Sequence, residues 1–251
     1  GIFLHRDFDS RVTGFADMVN RRNFAYDDCG HGTHICGIIG GSGRMSGGRY
    51  SGIAPGGNLI MVKVLDRKGN GYSSDVLAGI SWVLERKEQL GIRILNISVG
   101  ACSKRGMSEN SALVKGVNRA WDAGLVVVVA AGNNGPRTMS ITTPGISRKV
   151  ITVGCSDDDR EVLVGGNRMV DYSGRGPTAA CICKPDLVAP GCSVVSCSSR
   201  ADKYTIKSGT SMSTPIVSGA VALLLERFPD MSNKDVKLRL RESSVDIGLP
   251  R

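Results

Sequence analysis

One serine of this chain stands where its hydroxyl could act as a nucleophile. Ser211 lies in residues 209–215, which read GTSMSTP, directly before the apolar run 216–225. This run, interrupted only by Ser218 and Gly219, predicts a helix that is buried on all sides. The N–H groups at a helix start are unpaired and the dipole end is positive, so a developing negative charge is stabilised there. Alternatively, Ser211 only caps the helix.

A candidate general base lies far upstream of Ser211. His31 and His34 fall in residues 27–34, which read DDCGHGTH, and the helix-like run 35–39 follows. The small neighbours of His31 would let its ring face a cleft, where an imidazole can take a proton from a serine. A purely structural histidine is the alternative. Two histidines three residues apart also suggest a metal site, but no third ligand with a matching pattern follows, and we predict no metal there.

A candidate oxyanion donor follows the most apolar segment of the chain. Residues 130–135 read AAGNNG, and they close the run 125–131, which is apolar at every position. The side-chain N–H of Asn133 could donate a hydrogen bond to a developing oxyanion. Asn and Gly are also ordinary turn residues, so a simple turn is the alternative.

The periodicity of the chain indicates how these three residues would be positioned. Apolar strands alternate with helices, and strands that are apolar at every position are typical of a parallel sheet with helices on both faces. Sites in such sheets form beyond the carboxyl ends of the strands. The predicted strands are 59–65, 92–99, 125–131, 149–154 and the short 193–196, and the predicted helices are 74–90, 108–123, the Ser211 helix and a last one from Ser232, with Asp235 in a capping box. One domain over residues 1–251 is the simplest account.

The composition excludes several classes of protein. The 251 residues are 41% hydrophobic and 22% charged, and no apolar run has the length of a membrane span. The net charge of +9 is carried by scattered basic residues without a nucleic-acid-binding motif, so we expect a solvated basic surface and neither nucleic acid nor membrane as a partner. The basic clusters are Arg21–Arg22, Arg67–Lys68, Lys104–Arg105 and residues 239–241.

The eight cysteines bear on the cellular compartment. They contain no CxxC pair, and a chain of this length does not need a disulfide framework. We therefore expect mostly buried thiols and a cytoplasmic protein, with secretion as the alternative, in which case the four between Cys181 and Cys197 could pair. The chain begins without Met or a signal sequence, as though a segment had been removed before Gly1.

Together these segments closely resemble the subtilisin family of serine endopeptidases, and most of all its intracellular-type bacterial members. The resemblance covers nearly the whole chain and implies an α/β fold with three αβα layers and a mostly parallel central sheet. The matching segments are residues 27–34 with the HGTH core, 98–100 (SVG), 130–133 (AAGN), 175–177 (RGP), 186–191 (DLVAPG) and 209–215 (GTSMSTP).

The resemblance also implies a role for each site residue. Ser211 would be the nucleophile and His31 the general base, with Asn133 and the Ser211 N–H as the oxyanion hole. A substrate peptide would pair as an added strand with two backbone edges, which gives broad sequence tolerance. The implied edges are Ser98, Val99, Gly100 and Gly69, Asn70, Gly71, and the pocket before the scissile bond has walls Ala130, Ala131, Gly132 and Thr142 near its floor. No acid lies among them, so an apolar residue is expected in that pocket.

The family pattern fails at the third member of the triad. The aspartate that orients the histidine should stand two residues before Gly1, at the end of a strand expected in the middle of the sheet. Asp27 and Asp28 are the nearest substitutes in sequence. We consider a fragment of a normal enzyme, a chain whose N-terminal part binds non-covalently, and a non-catalytic binding or scaffold relative. Without this aspartate, the chain is expected to be nearly inactive.

Two further features of the resemblance concern metal and thiol chemistry. Asp7 matches one calcium ligand of secreted relatives, but residues 42–51 contain no carboxylate, so calcium is possible without being supported, and no cofactor is expected to be required. Cys29, two residues before His31, is a buried small residue or a thiol that makes the enzyme sensitive to mercurials. We expect peptide or protein substrates, a monomer, and as a possible partner its own N-terminal segment or pro-segment.

Overall fold

The computed structural model describes residues 1–101 and 108–248. Cys102 and the basic pair Lys104–Arg105 lie outside these residues. The described α-helices are α1 (His31–Gly40), α2 (Ser73–Arg86), α3 (Ala112–Asp122), α4 (Thr210–Arg227) and α5 (Asn233–Ser243). The described strands are β1 (Val12–Asp17), β2 (Leu59–Lys63), β3 (Ile94–Ile97), β4 (Val126–Ala130), β5 (Ile151–Cys155), β6 (Val162–Val164), β7 (Asn167–Met169), β8 (Leu187–Ala189), β9 (Val194–Cys197) and β10 (Tyr204–Lys207).

The central sheet is parallel and has the order β3-β4-β5-β8. Every residue of β4 and β5 is buried, so both faces of the sheet are covered, as the apolar runs predicted. Helix α4 packs on β3, β4 and β5, and α3 packs on β4. The α/β fold class with a mostly parallel sheet is therefore confirmed.

A second parallel pair, β1-β2, lies apart from this sheet. An apolar groove of about 550 Å³ lies between β2 and β3 and is lined by both strands and by Ile80 of α2 and Leu225 of α4. Gly1 and His31 also line it. The groove separates the pair β1-β2 from the four-stranded sheet.

Helix α1 joins the two parts of the molecule. Ile35 and Ile38 of α1 pack against Met212 of α4. The antiparallel hairpin β9-β10 packs on α1, where His34 Nε2 is 3.1 Å from the Val194 carbonyl oxygen and 3.2 Å from that of Thr205. Helix α1 is therefore fixed against both α4, the helix that contains Ser211, and the hairpin β9-β10.

Several predicted elements differ in detail from the structure. The prediction that the Ser211 helix is buried on all sides is wrong at Leu223, which is 43% exposed. Helix α3 begins four residues later than predicted, because the Ser111 hydroxyl accepts a hydrogen bond from the Val114 N–H and caps the helix there. Strand β1 was not predicted, because Gly14 interrupts it and most of its residues are only partly buried or exposed.

The structure also bears on the predicted cap of α5, the state of the cysteines and the prediction of no membrane span. The Ser232 hydroxyl accepts from the Asp235 N–H and donates to the Asp235 carboxylate, which confirms the predicted cap of α5. The seven described cysteines are all free thiols, and Cys36, Cys155 and Cys197 are buried. In the described part of the chain, no helix has the length and hydropathy needed to span a bilayer.

Candidate active site

Ser211 stands in the first turn of α4, where backbone N–H groups lack intrahelical acceptors. The helix is preceded by Gly209, whose φ of 139° is a conformation that side chains disfavour. The Ser211 hydroxyl donates a hydrogen bond to the Ser98 carbonyl oxygen at 2.9 Å. The candidate nucleophile is thus held against the segment that follows β3.

Asn133 follows β4 and is fixed against the residue before Ser211. Its Oδ1 accepts hydrogen bonds from the Thr210 N–H at 3.0 Å and from the Thr210 hydroxyl at 3.1 Å. Because both of these partners are donors to Oδ1, the orientation of the amide is determined. Nδ2 then faces Gly209, where a Cβ would lie 3.3 Å from it. This arrangement directs an N–H donor toward the start of the nucleophile helix.

His31 is the first residue of α1, and Asp27 provides the cap of that helix. The Asp27 carboxylate accepts from the Gly30 N–H at 2.8 Å and from the Thr33 N–H at 3.0 Å. Burial alone would raise the pKa of Asp27, but the Gly1 ammonium and the hydrogen bonds from Thr33 and Gly30 outweigh it and lower that pKa. Asp27 is therefore an ionised structural cap of α1.

No carboxylate orients the His31 ring among the residues that the structure describes. Asp27 is engaged with the start of α1, and Asp28 pairs at 2.6 Å with the buried Lys63 ammonium. Burial, then the charges of Lys207 and the Gly1 ammonium, lower the pKa of His31 to about 4 against the opposing effect of Asp27. The imidazole is neutral at pH 7 and can accept a proton, but neither nearby aspartate fixes its tautomer.

The predicted pocket residues come together around Thr142. A Cβ on Gly100 or on Gly132 would overlap the Thr142 side chain, so Thr142 lies between these two glycines. Its hydroxyl donates to the Ala131 carbonyl oxygen at 3.3 Å, and Gly132 N–H donates to the Thr210 hydroxyl. Thr142 is consequently a buried residue adjacent to the segment that holds Asn133.

The second predicted substrate edge lies on the side of His31. Asn70 closes a tight turn in which its N–H donates to the Asp66 carboxylate at 2.9 Å. A Cβ on Gly69 would be 3.5 Å from the Cys29 sulfur, two residues before His31. His31, Cys29, Ser98 and Val99 line the same groove. Gly69 of this predicted edge therefore lies near Cys29, and Ser98 of the other predicted edge contacts Ser211.

Two residues near the site were not predicted. Thr210 orients Asn133, and Lys207 places a positive charge near His31. The motif GTS could have drawn attention to Thr210, since its hydroxyl is directly beside the candidate nucleophile in sequence. No sequence signal pointed to Lys207, because its proximity to His31 arises from the packing of the hairpin β9-β10 on α1.

The residues around Asp7 do not fit a calcium ion. Asp7 Oδ1 accepts from the Met45 N–H at 2.9 Å and Oδ2 accepts from the Tyr204 hydroxyl at 2.6 Å. The loop that would supply further ligands contains no carboxylate. Calcium takes six to eight oxygen ligands, and this donor set does not provide them.

Comparisons with known proteins agree with this architecture. The family model described as "Subtilase family" matches residues 5–250. The chain is 41% identical over 261 residues to serine protease AprX of Bacillus subtilis (strain 168), covering 97% of this chain and 59% of that relative. It is 34% identical to subtilisin DY of Bacillus licheniformis, covering 96% and 79%.

Solved structures give the same result. The structure of sphericase superposes with a TM-score of 0.81 at 31% identity and covers 96% of this chain and 79% of that chain. A cold-adapted subtilisin-like serine proteinase superposes with a TM-score of 0.80 at 30% identity and covers 98% and 80%. The chain therefore spans about three fifths of the length of the AprX relative and about four fifths of these structures.

Proposed function

Because the chain belongs to the subtilase family, we propose that it is the peptidase domain of a serine endopeptidase. Ser211 is the nucleophile, His31 the general base and acid, and Asn133 Nδ2 with the Ser211 N–H the oxyanion hole. The observation that carries the proposal is the double hydrogen bond from Thr210 to Asn133 Oδ1, which directs the amide N–H toward the nucleophile helix. A turn asparagine would not need this orientation.

The chemistry follows from these positions. His31 takes the Ser211 proton while Oγ attacks the scissile carbonyl, and the oxyanion is stabilised by two N–H donors at the positive end of α4. His31 then protonates the leaving amine, and a water hydrolyses the acyl-enzyme by the reverse sequence. The Ser211 hydroxyl must first give up its hydrogen bond to the Ser98 carbonyl oxygen.

The third member of the triad is proposed to come from the groove between β2 and β3. A parallel strand in this groove would pair with the free edges of both strands and would end beside His31, which lines the groove. An aspartate at its end would fix the tautomer of His31 and raise its pKa. Without that aspartate we expect turnover to be lower by about 3 × 10⁴, which is the effect of removing the triad aspartate of subtilisin itself.

The proposed specificity is broad, with a small apolar residue before the scissile bond. The two backbone edges accept the substrate main chain irrespective of sequence. Thr142 occupies the space between Gly100 and Gly132, and the pocket residues include no charged group to pair with a charged side chain.

We also propose that the protein works in a reducing compartment, the cytoplasm. The support is that Cys181 and Cys183 are exposed and unbonded, although disulfides form readily at such positions in oxidising compartments. Alkylation of thiols in intact cells, followed by mass spectrometry, measures their state. A disulfide at either cysteine in cells would contradict the proposal.

The proposed activity is tested with a fluorophosphonate probe and the product of the complete gene. We expect Ser211 to be labelled and peptides to be cleaved, and the 251-residue chain alone to react far more slowly. The matched control is Ser213→Ala, since Ser213 is a buried serine two residues away whose hydroxyl has no hydrogen-bond partner. Peptide binding without labelling or cleavage would instead identify a non-catalytic binding protein.

A further inference from the structure

A cluster of three different metal-binding side chains lies outside the candidate active site, between residues 5–7 and the hairpin β9-β10. His5, Asp7 and Cys197 are almost fully buried, and one ligand atom of each lies within 4.8 Å of the other two. His5 Nδ1 is 3.8 Å from Asp7 Oδ1, and Cys197 Sγ is 3.7 Å from Asp7 Oδ2. Tetrahedral Zn²⁺ has bonds of about 2.0–2.3 Å, so its ligand atoms lie about 3.3–3.8 Å apart. The two measured separations are at the upper end of this range.

The His5 ring is oriented as a metal-binding imidazole would be. Its Nε2 lies 3.1 Å from the Lys203 carbonyl oxygen, which can only accept, so Nε2 carries the ring proton. The lone pair of Nδ1 then faces Asp7, whose N–H donates to it at 3.1 Å. Zinc would displace this N–H. A backbone carbonyl that holds the other ring nitrogen is the usual support of a histidine ligand.

The Asp7 carboxylate is buried without a cationic side chain beside it. In the described part of the chain, no lysine or arginine lies within ion-pair distance of it, and His5 is neutral because its Nδ1 accepts a hydrogen bond. Met45 N–H donates to Oδ1 at 2.9 Å and the Tyr204 hydroxyl donates to Oδ2 at 2.6 Å. Each carboxylate oxygen has two lone pairs, so both can still bind a metal. Buried charges in proteins are paired or coordinate metal ions.

The Cys197 thiol decides which metal fits. A Cβ on Gly37 of α1 would be 2.9 Å from the sulfur, so the thiol is packed against that helix. Burial, and then the charge of Asp7, raise the pKa of this thiol, so a thiolate needs a cation beside it. When Zn²⁺ binds, the S–H bond breaks, an S–Zn bond forms and one proton is released. Thiolate and imidazole are ligands of Zn²⁺, whereas Ca²⁺ takes oxygen ligands.

We propose that His5, Asp7 and Cys197 form a structural site for Zn²⁺, which fastens residues 5–7 to the hairpin β9-β10. Asp7 and Cys197 are 190 residues apart in the sequence, so only folding brings the ligands together, and the ion stabilises the folded chain. The hairpin packs on α1, whose first residue is His31, so the ion also supports that helix. The site is independent of the proposed catalytic residues.

The zinc site is tested in the product of the complete gene, with Ser211→Ala to prevent self-digestion and with metals first removed by a chelator. Co²⁺, used as a coloured probe for Zn²⁺, should bind once per chain and give a thiolate-to-metal charge-transfer absorption. Zn²⁺ at 100 times its Kd should raise Tm by about 5–10 °C. Calorimetry in two buffers of different ionisation enthalpy should show the release of about one proton per Zn²⁺.

Substitution of each ligand separates this site from other sites of metal binding. Cys197→Ser should lose the charge-transfer absorption. Cys197→Ser, His5→Gln and Asp7→Asn should each lose the rise in Tm. Every variant is compared with itself in the presence and absence of Zn²⁺, so a destabilising effect of the substitution alone does not imitate the expected result.

The matched control is Cys155→Ser, which removes another buried thiol and should keep both the absorption and the rise in Tm. Both signals in Cys197→Ser would overturn the inference. Their loss on replacing the exposed Cys181 and Cys183 by serine would place the metal at the surface and overturn it as well. So would the absence of Zn²⁺ binding to the otherwise unsubstituted protein, and the proposed peptidase function would stand in each case.

Discussion

The two halves of the candidate site are supported very differently. Ser211 and Asn133 stand on the four-stranded sheet and α4, where Thr210 joins them through its N–H and its hydroxyl. His31 stands across the groove, on the helix that packs near β1-β2, and no described hydrogen bond reaches its ring. Between the halves, Ile35 of α1 packs on Met212 of α4.

This difference separates two requirements of the chemistry. The candidate oxyanion donors are organised by Thr210, which lies directly before Ser211 and bonds to Asn133. The orientation of the base depends on the groove, where a parallel strand would both join the sheets and supply a carboxylate. Folding and catalysis are therefore expected to be coupled through one element, because the free edges and the apolar groove are otherwise left open.

The nucleophile half is broken most severely by Ser211→Ala. In the product of the complete gene we expect kcat to fall by about 10⁶-fold, a magnitude known from subtilisin itself. Peptide hydrolysis with purified protein measures the loss. Ser213→Ala should keep full activity, because its hydroxyl is buried without a partner in this structure. Equal losses in both variants would mean that Ser211 has only a structural role.

The oxyanion donor gives the next largest effect. Asn133→Ala should lower kcat by about 10²–10³ with little change in KM, again a magnitude established in subtilisin. Thr210→Val removes the hydroxyl that holds Asn133 Oδ1 but keeps the backbone N–H bond, so a smaller loss of about tenfold is expected. Steady-state kinetics on both variants distinguish donation from positioning. A rise in KM at constant kcat would contradict the oxyanion assignment.

The sequence predicted the nucleophile half better than the base half. The strand at residues 125–131 is apolar throughout, so its end, and with it Asn133, could be placed at the carboxyl edge of the sheet. Ser211 lies two residues after Gly209, whose backbone conformation is one that side chains disfavour. Both signals come from residues that are neighbours in the chain, so they can be recognised in a single sequence.

The base half depends on contacts between distant segments, which a single sequence does not reveal. Lys207 is remote from His31 in sequence, and its charge affects the pKa of His31 because the hairpin β9-β10 packs on α1. Asp27 is near His31 in sequence, yet its oxygens cap α1 and do not orient the ring. Strand β1 escaped prediction because Gly14 interrupts it and its partner β2 follows more than forty residues later.

Thr142→Gly tests the predicted substrate pocket, and its expected effect on substrate preference is smaller than the loss of kcat expected for Asn133→Ala. Removing the side chain between Gly100 and Gly132 deepens the pocket before the scissile bond. We expect kcat/KM for a Phe substrate, relative to an Ala substrate, to rise about tenfold, since each methylene in an apolar pocket changes discrimination by this order. Competing peptides assayed in one mixture measure the ratio. An unchanged ratio would show that Thr142 does not form the floor.

The smallest expected effect concerns the titration of His31 in the 251-residue chain. Lys207 disfavours the imidazolium, so Lys207→Gln should raise the pKa of His31 from its value of about 4 toward the ordinary value. The chain has three histidines, and substitution of His5 and His34 in turn assigns their imidazole signals by NMR. Lys203→Gln, beyond the far end of β10, should leave the titration unchanged. Because catalysis needs neutral His31, the acid limb of kcat/KM in the complete protein should move to higher pH in Lys207→Gln, and a shift to lower pH would place Lys207 away from the base.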